Sequence, residues 1–387
     1  MIILMPTQQP PPPACRNPTL QVKESEHDFA GALRPRHGGS AGPEITPTGS
    51  TTDTSVMVVY ATTRKTKWII AGVAAAVVVT AAIVVAVVKT STSSTRVTTS
   101  ATTTPVTTST GAAVNYGWDL TATNTGLAGV GVNRNTLPVF SGTVTAGMTI
   151  SNVKITKALD LSGKANVTLD RVWVQVNDSD RAILLGAGTT IRDSDVDGSL
   201  MAPGGSFGIS SKPGVGTLGN YTIERVNITN LTQAIYLDSG TSASTGLVTD
   251  TYVHSMLSTN GAHLDGMQRM AGTGPLTILR CRVANDYSGA GGSFATASMF
   301  LTPTWGGDIG PVTLKDSYFE GNGYNLYFTA YPNTGDSITV SLNNVRLRPT
   351  EYGPITTLGD VIFPQWTNVY LYDATKPNAA GAAVNQP

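Results

Sequence analysis

Residues 221–228 read YTIERVNI, and the same eight-residue phrase returns along the chain. It appears as MTISNVKI (148–155), VTLDRVWV (167–174), TTIRDSDV (189–196), LTILRCRV (276–283) and VTLKDSYF (312–319), with weaker copies GLVTDTYV (246–253) and VSLNNVRL (340–347). The second residues of the copies are separated by 19, 22, 32, 25, 30, 36 and 28 positions, a mean of about 27. Repetition on this scale marks a solenoid, in which each repeat buries its apolar side only by stacking on its neighbours. In each copy the third, sixth and eighth residues tend to be apolar or small and the fourth and seventh polar. That pattern describes a strand followed by a slight bend, not a helix. It predicts that Ile150, Leu169, Ile191, Ile223, Ile278 and Leu314 stack in one buried column.

Another strand series precedes most copies: RAILLGAG (181–188), SFGISSKP (206–213), QAIYLDSG (233–240), HLDGMQRM (263–270), SMFLTPTW (298–305) and YNLYFTAY (324–331). Two or three strands per turn of roughly 20 to 35 residues make an all-β parallel β-helix, with backbone hydrogen bonds running between coils about 4.8 Å apart. The rival all-β fold, an immunoglobulin-like sandwich, would not have strands that share one recurring phrase.

With this phrase and spacing the chain resembles the pectate-lyase-like right-handed parallel β-helix superfamily, over about residues 115–375. Loop-length variation near residues 200–220 and 284–311 fits growth of loops on one face, where sites are usually built. The resemblance implies a polysaccharide as substrate or ligand, cleaved by a hydrolase or a lyase. Polygalacturonases of the superfamily carry Asn-Thr-Asp, Asp-Asp, Gly-His-Gly and Arg-Ile-Lys motifs. HLDG at 263–266 is similar to the first, with Asp265 matching its aspartate. The chain has no Asp-Asp pair and no Arg-Ile-Lys, and its one HGG lies at 37–39. The acidic cluster of calcium-dependent pectate lyases is missing too.

Upstream of the repeats the composition changes sharply, which leaves one domain of about 113–375 as the folded unit. Residues 1–63 carry PPPP, scattered Gly and mixed charges, and are expected to be a disordered cytoplasmic tail. Met57, directly before VVYATTRKTKW, is an alternative start. Residues 68–88, WIIAGVAAAVVVTAAIVVAVV, are free of charge for 21 positions, about 31 Å of helix at roughly 1.5 Å per residue, enough to span a bilayer core. Cores of cleaved secretory signals are shorter, at about 7 to 15 residues, and no small-x-small site precedes Lys89. Residues 64–89 are therefore expected to be a single transmembrane helix with its flanks. Arg64, Lys65 and Lys67 before it, against Lys89 and Arg96 after it, favour a cytoplasmic N-terminus and an extracellular C-terminal domain. Residues 90–112, nearly all Ser and Thr, read as a stalk, and 376–387 as a flexible C-terminal tail.

Charged residues make up only 13% of the chain, and the formal net charge is zero, which removes the basic footprint of a nucleic-acid binder. Cys15 and Cys281 are the only cysteines and are expected on opposite sides of the membrane, so neither a disulfide nor a metal–thiolate site is expected. Asp193, Asp195 and Asp197 alternate as in calcium loops, but no bidentate Glu follows, and neither a metal nor another cofactor is expected.

The candidate site is STNGAHLDGMQRM (258–270). In an extended strand His263 and Asp265 would project to one side as an acid/base pair, while Gly266 keeps the backbone open there. Asp238, one coil away, would supply the second carboxylate needed for glycoside hydrolysis. In a lyase, His263 or Arg269 would abstract the proton beside a uronate carboxyl group, and the other cation would neutralise that group. Gln268, Lys212, Trp305, Tyr327 and Tyr331, with Thr302, would line the same flank and hold a sugar chain by stacking and hydroxyl contacts. The bland alternative is a solvated His and Asp that satisfy each other and a loop. A non-catalytic surface adhesin or structural spike is the second functional reading.

Overall fold

A computed structural model describes residues 116–201, 206–211, 219–237, 244–257, 263–286, 295–304, 306–331, 334–350 and 352–387. The expected tail, membrane segment and stalk, together with Lys212, Asp238 and Trp305, lie outside these residues. Among the described residues no helix is long and apolar enough to cross a membrane.

The folded part is an all-β parallel solenoid. The third residues of the phrase pair in register from coil to coil, Ile150 with Leu169, then Ile191, Ile223, Val248, Ile278, Leu314 and Leu342. All six members of the expected column are at most 2% exposed. The eighth residues form a second buried column through Ile155, Val174, Val196, Ile228, Val253, Val283, Phe319 and Leu347.

Between these columns the chain turns at the fifth residue of every copy. Asn152, Arg171, Asp193, Arg225, Asp250, Arg280, Asp316 and Asn344 all have φ between 49° and 55°. Asn and Asp tolerate this left-handed conformation through their short polar side chains, and they fill five of the eight positions. The arginines gain carboxylate partners at the same corner. Arg225 grips Asp193 at 2.6 and 2.9 Å, and Arg280 grips Asp250 at 2.7 Å through both of its donors. Asp193 is thereby committed to Arg225, which separates it from Asp195 and Asp197.

A third strand series forms a separate eight-stranded sheet, running through Leu159–Asp160, Arg181–Leu184, Phe207–Ser210, Gln233–Leu237, Leu264–Arg269, Ala295–Leu301, Tyr324–Thr329 and Ile355–Leu358. Its interior column is Leu159, Ile183, Ile209, Ile235, Met267, Met299, Leu326 and Ile355.

Both ends of the domain differ from the expected boundaries. Residues 116–137 do not form a coil but lie across the outside of the coils as a strap. Gly117 N–H donates to Asp316 O, Leu120 O accepts from Arg282, Leu127 N–H donates to Asp195, and Arg134 stacks over Trp173. A Cβ on Gly117 would stand 2.1 Å from Cys281 O, so this approach requires glycine. At the other end, the expected flexible tail is ordered. Ala380–Ala383 pairs antiparallel with Trp366–Tyr372, and Trp366 Nε1 donates to Val384 O at 2.9 Å. A turn and a tethering hydrogen bond hold backbone that an alanine-rich sequence does not advertise.

Candidate functional site

The strand Leu264–Arg269 sits in the middle of the third series, between Gln233–Leu237 and Ala295–Leu301. The structure separates the expected His263–Asp265 pair. The register shifts between Leu264 and Asp265, so simple alternation fails there. His263 is exposed and its Nδ1 bonds Thr296 Oγ1 at 2.9 Å, whereas Asp265 is 1% exposed. The two are not hydrogen-bonded to each other among the described residues. Gly266 faces inward, and a Cβ there would stand 2.3 Å from Val283 Cγ1 and 2.7 Å from Ser298 O. Glycine at this point lets the strand close onto the core and draws its neighbour down with it.

Asp265 has an unusual environment. Its Oδ1 has no hydrogen-bond partner among the described residues. Burial pushes its carboxyl up to about 7, with the Ala297 N–H pulling the other way. A buried acid with a single backbone donor and no cation beside it prefers to keep its proton. Its register neighbour Gln233 and the outward residue of the next pair, Gln268, also carry side-chain oxygens without partners among the described residues. Gln268 is 7% exposed.

Arg269 is turned toward the backbone that follows its own strand. It is 6% exposed, its Nε donates to Ala271 O at 3.1 Å, and one Nη donates to Gly272 O at 2.6 Å and Gly274 O at 2.7 Å. These carbonyls belong to the turn that follows its own strand. Burial lowers its pKa from the ordinary value, but the guanidinium points at backbone, not at the flank. Thr302 is likewise turned inward, at 1% exposure. Tyr331 is 44% exposed, just past the end of its strand.

Around this polar floor the third series displays aromatic pairs that the sequence reading missed. The outward column next to the interior one runs Ser210, Tyr236, Gln268, Phe300 and Tyr327. On one side Phe207 and Tyr236 lie 4.9 Å apart, with the Arg181 guanidinium 4.4 Å over Phe207. On the other, Phe300 stacks on Tyr327 at 4.9 Å, and Tyr324 touches Tyr327 at 5.4 Å. These rings are half-buried, the state of a side chain with one face packed and one free. Tyr327 is thus the one expected aromatic residue that the structure sets beside Gln268, two coils away. The others had a usable signal: aligning the series on its interior Ile or Met puts Tyr236, Gln268, Phe300 and Tyr327 at one offset.

The seventh residues of the phrase form a second outward ladder, Lys154, Trp173, Asp195, Asn227, Tyr252, Arg282, Tyr318 and Arg346. Cations and rings neighbour one another at its two ends, with Asp195 and Asn227 between, and Lys154 lies 3.8 Å over Trp173 and Arg282 5.0 Å from Tyr252. Comparison with known protein families, curated proteins and solved structures returns no match to this chain.

Proposed function

We propose that this chain is a glycan-binding β-solenoid of the right-handed, pectate-lyase-like kind, held at a cell surface by residues 68–88. In this reading an extended sugar chain lies along the outer face of the third series. One observation carries it: the strand with Gln233, Asp265 and Gln268 on and beside it is bracketed coil by coil by two pairs of half-exposed rings, Phe207 with Tyr236 and Phe300 with Tyr327. Half-exposed rings offer flat apolar faces to pyranose rings. Coils about 4.8 Å apart repeat these groups at close to the length of one sugar unit.

Binding is favoured over cleavage. Asp265 is the one carboxyl among the described residues between the two aromatic pairs, while Asp238, expected as the second that a glycoside hydrolase needs, lies outside them. A lyase needs a cation for the uronate carboxylate, and Arg269 is committed to its own turn. A surface adhesin is the form of this reading with no chemistry at all.

The test is affinity electrophoresis of the full-length chain in gels containing a panel of neutral and acidic polysaccharides. Tyr236→Ala and Phe300→Ala are each expected to weaken retention by about tenfold, the equivalent of roughly 1.4 kcal/mol of ring contact. Retention that neither variant reduces, or no retention on any glycan, sinks the proposal. Release of new reducing ends that stops in Asp265→Asn would instead make Asp265 a general acid.

A further inference from the structure

A second site lies away from this flank, between the strap of residues 116–137 and the seventh-residue ladder. It is a cavity of about 490 Å3 with Leu127, Arg134, Asp195, Asp197, Asn227 and His254 in its wall. That volume falls within the range of small-ligand pockets. Leu127, Ala128 and Val132 of the strap give it an apolar side, and the ladder gives it a polar one.

The charges in the wall do not balance. Asp197 is well served, receiving Asn230 Nδ2 and Ser199 N–H at 2.9 Å each, with Arg134 at 3.8 Å. Arg134 is the one cation in the wall, and it is also stacked over Trp173. His254 has both ring nitrogens occupied, by Ser255 Oγ and Asn227 Oδ1 at 2.9 Å each, and burial lowers its pKa, so it stays neutral. Asp195 is left. It is 7% exposed, and Leu127 N–H at 3.0 Å is its one hydrogen-bond donor among the described residues, on Oδ1. Oδ2 receives none. A carboxylate this buried, beside a second one, requires a positive partner.

We infer that this pocket binds a small organic ammonium ion, with its charged nitrogen at Asp195 Oδ2 and its carbon skeleton against Leu127 and Val132. An ammonium group brings three donors and the missing charge on a compact centre. A neutral sugar would leave Asp195 uncompensated, and an anion would meet two carboxylates. Calcium would need six to eight oxygen ligands, more than two carboxylates, one of them shared with Arg134, provide. Burial and the neighbouring Asp197 raise the Asp195 pKa, while Leu127 N–H and Arg134 lower it. Acid therefore neutralises Asp195 early, and affinity is expected to fall as pH drops. Asp197, Arg134 and His254 are the other titratable groups facing the cavity.

Isothermal titration of the full-length chain with putrescine, glucosamine, glucose and calcium chloride tests this. Both amines are expected to bind at least about tenfold tighter than glucose, and Asp195→Asn is expected to erase that preference. Arg134→Gln removes the competing cation and is expected to tighten amine binding. Tyr236→Ala, on the other flank, should leave it unchanged, which separates this site from the glycan reading. Equal binding of glucose, displacement of amine by calcium, or no amine binding at millimolar concentration overturns the inference. If Asp195→Asn does not fold, an unchanged or weaker amine affinity in Arg134→Gln overturns it alone.

Discussion

Asp265→Asn is expected to make the solenoid more stable than the wild type at mildly alkaline pH and indistinguishable from it in acid. The carboxyl of Asp265 titrates at about 7 in the folded chain and, like any exposed aspartate, near 4 when unfolded. Between those values the folded state holds a proton that the unfolded state has released. Stability therefore falls as pH rises through this window, by roughly 4 kcal/mol across three pH units at about 1.36 kcal/mol per unit. The loss is complete above the folded pKa and absent below the unfolded one. Asparagine copies the shape of the protonated acid and has no charge to bury, so the difference between variant and wild type isolates this one group. That matters because Asp195 contributes in the same direction, while His254, with its lowered pKa, works in the opposite one. Urea unfolding at several pH values measures the gap. A gap that does not open between acid and alkaline pH would mean that Asp265 has a cationic or further donor partner in the folded protein, beyond the Ala297 N–H. A residue that destabilises its own fold at neutral pH is the sort retained for function, not for packing.

How much of this was legible in the sequence follows from how strongly each position is constrained. The eight-residue phrase was readable because a third-position residue such as Ile223 or Leu314 must fill the same interior site in every coil. The bend was readable too, from the polar fourth and seventh residues among the apolar third, sixth and eighth, although the Asp–Arg pairs that hold Arg225 and Arg280 there were not. The site was legible only in part. Asp265 and Gln268 were found because a His and a charge are conspicuous in a polar-poor chain, but the shift beside Leu264, which puts Asp265 down and leaves His263 up, has no mark in the letters beyond Gly266. Arg269 looked available because nothing in HLDGMQRM reveals that three carbonyls of the following turn would claim it. Phe207, Tyr236 and Phe300 are hidden because loop lengths between coils vary, so their shared offset shows only against the interior residue of each strand. The strap was hidden for a different reason. Residues 116–137 have no periodic pattern of their own and take their conformation from the ladder that they cross.

Two neighbouring residues on the flank separate fold from function. Phe328→Ala is expected to cost about 3–5 kcal/mol, the range for removing a fully buried ring. Phe328 is 0% exposed, pairs in register with Leu301 and Thr357, and lies 6.3 Å from the Phe363 ring. Tyr327, the residue before it, points the other way and is half-exposed, so Tyr327→Ala is expected to cost less than about 1.5 kcal/mol and to act on glycan retention instead. A solenoid is stabilised mainly between nearest neighbours, which makes the Phe328 loss local. The coil on its C-terminal side, with Ile355–Leu358 and Trp366–Tyr372, has few further coils to hold it. Hydrogen exchange should therefore accelerate first in those strands, while Thr168–Asp170 and Thr189–Arg192 keep their protection. Uniform loss of protection along the whole chain would show that the coils melt as one unit, and the separation of roles between adjacent residues would then not hold.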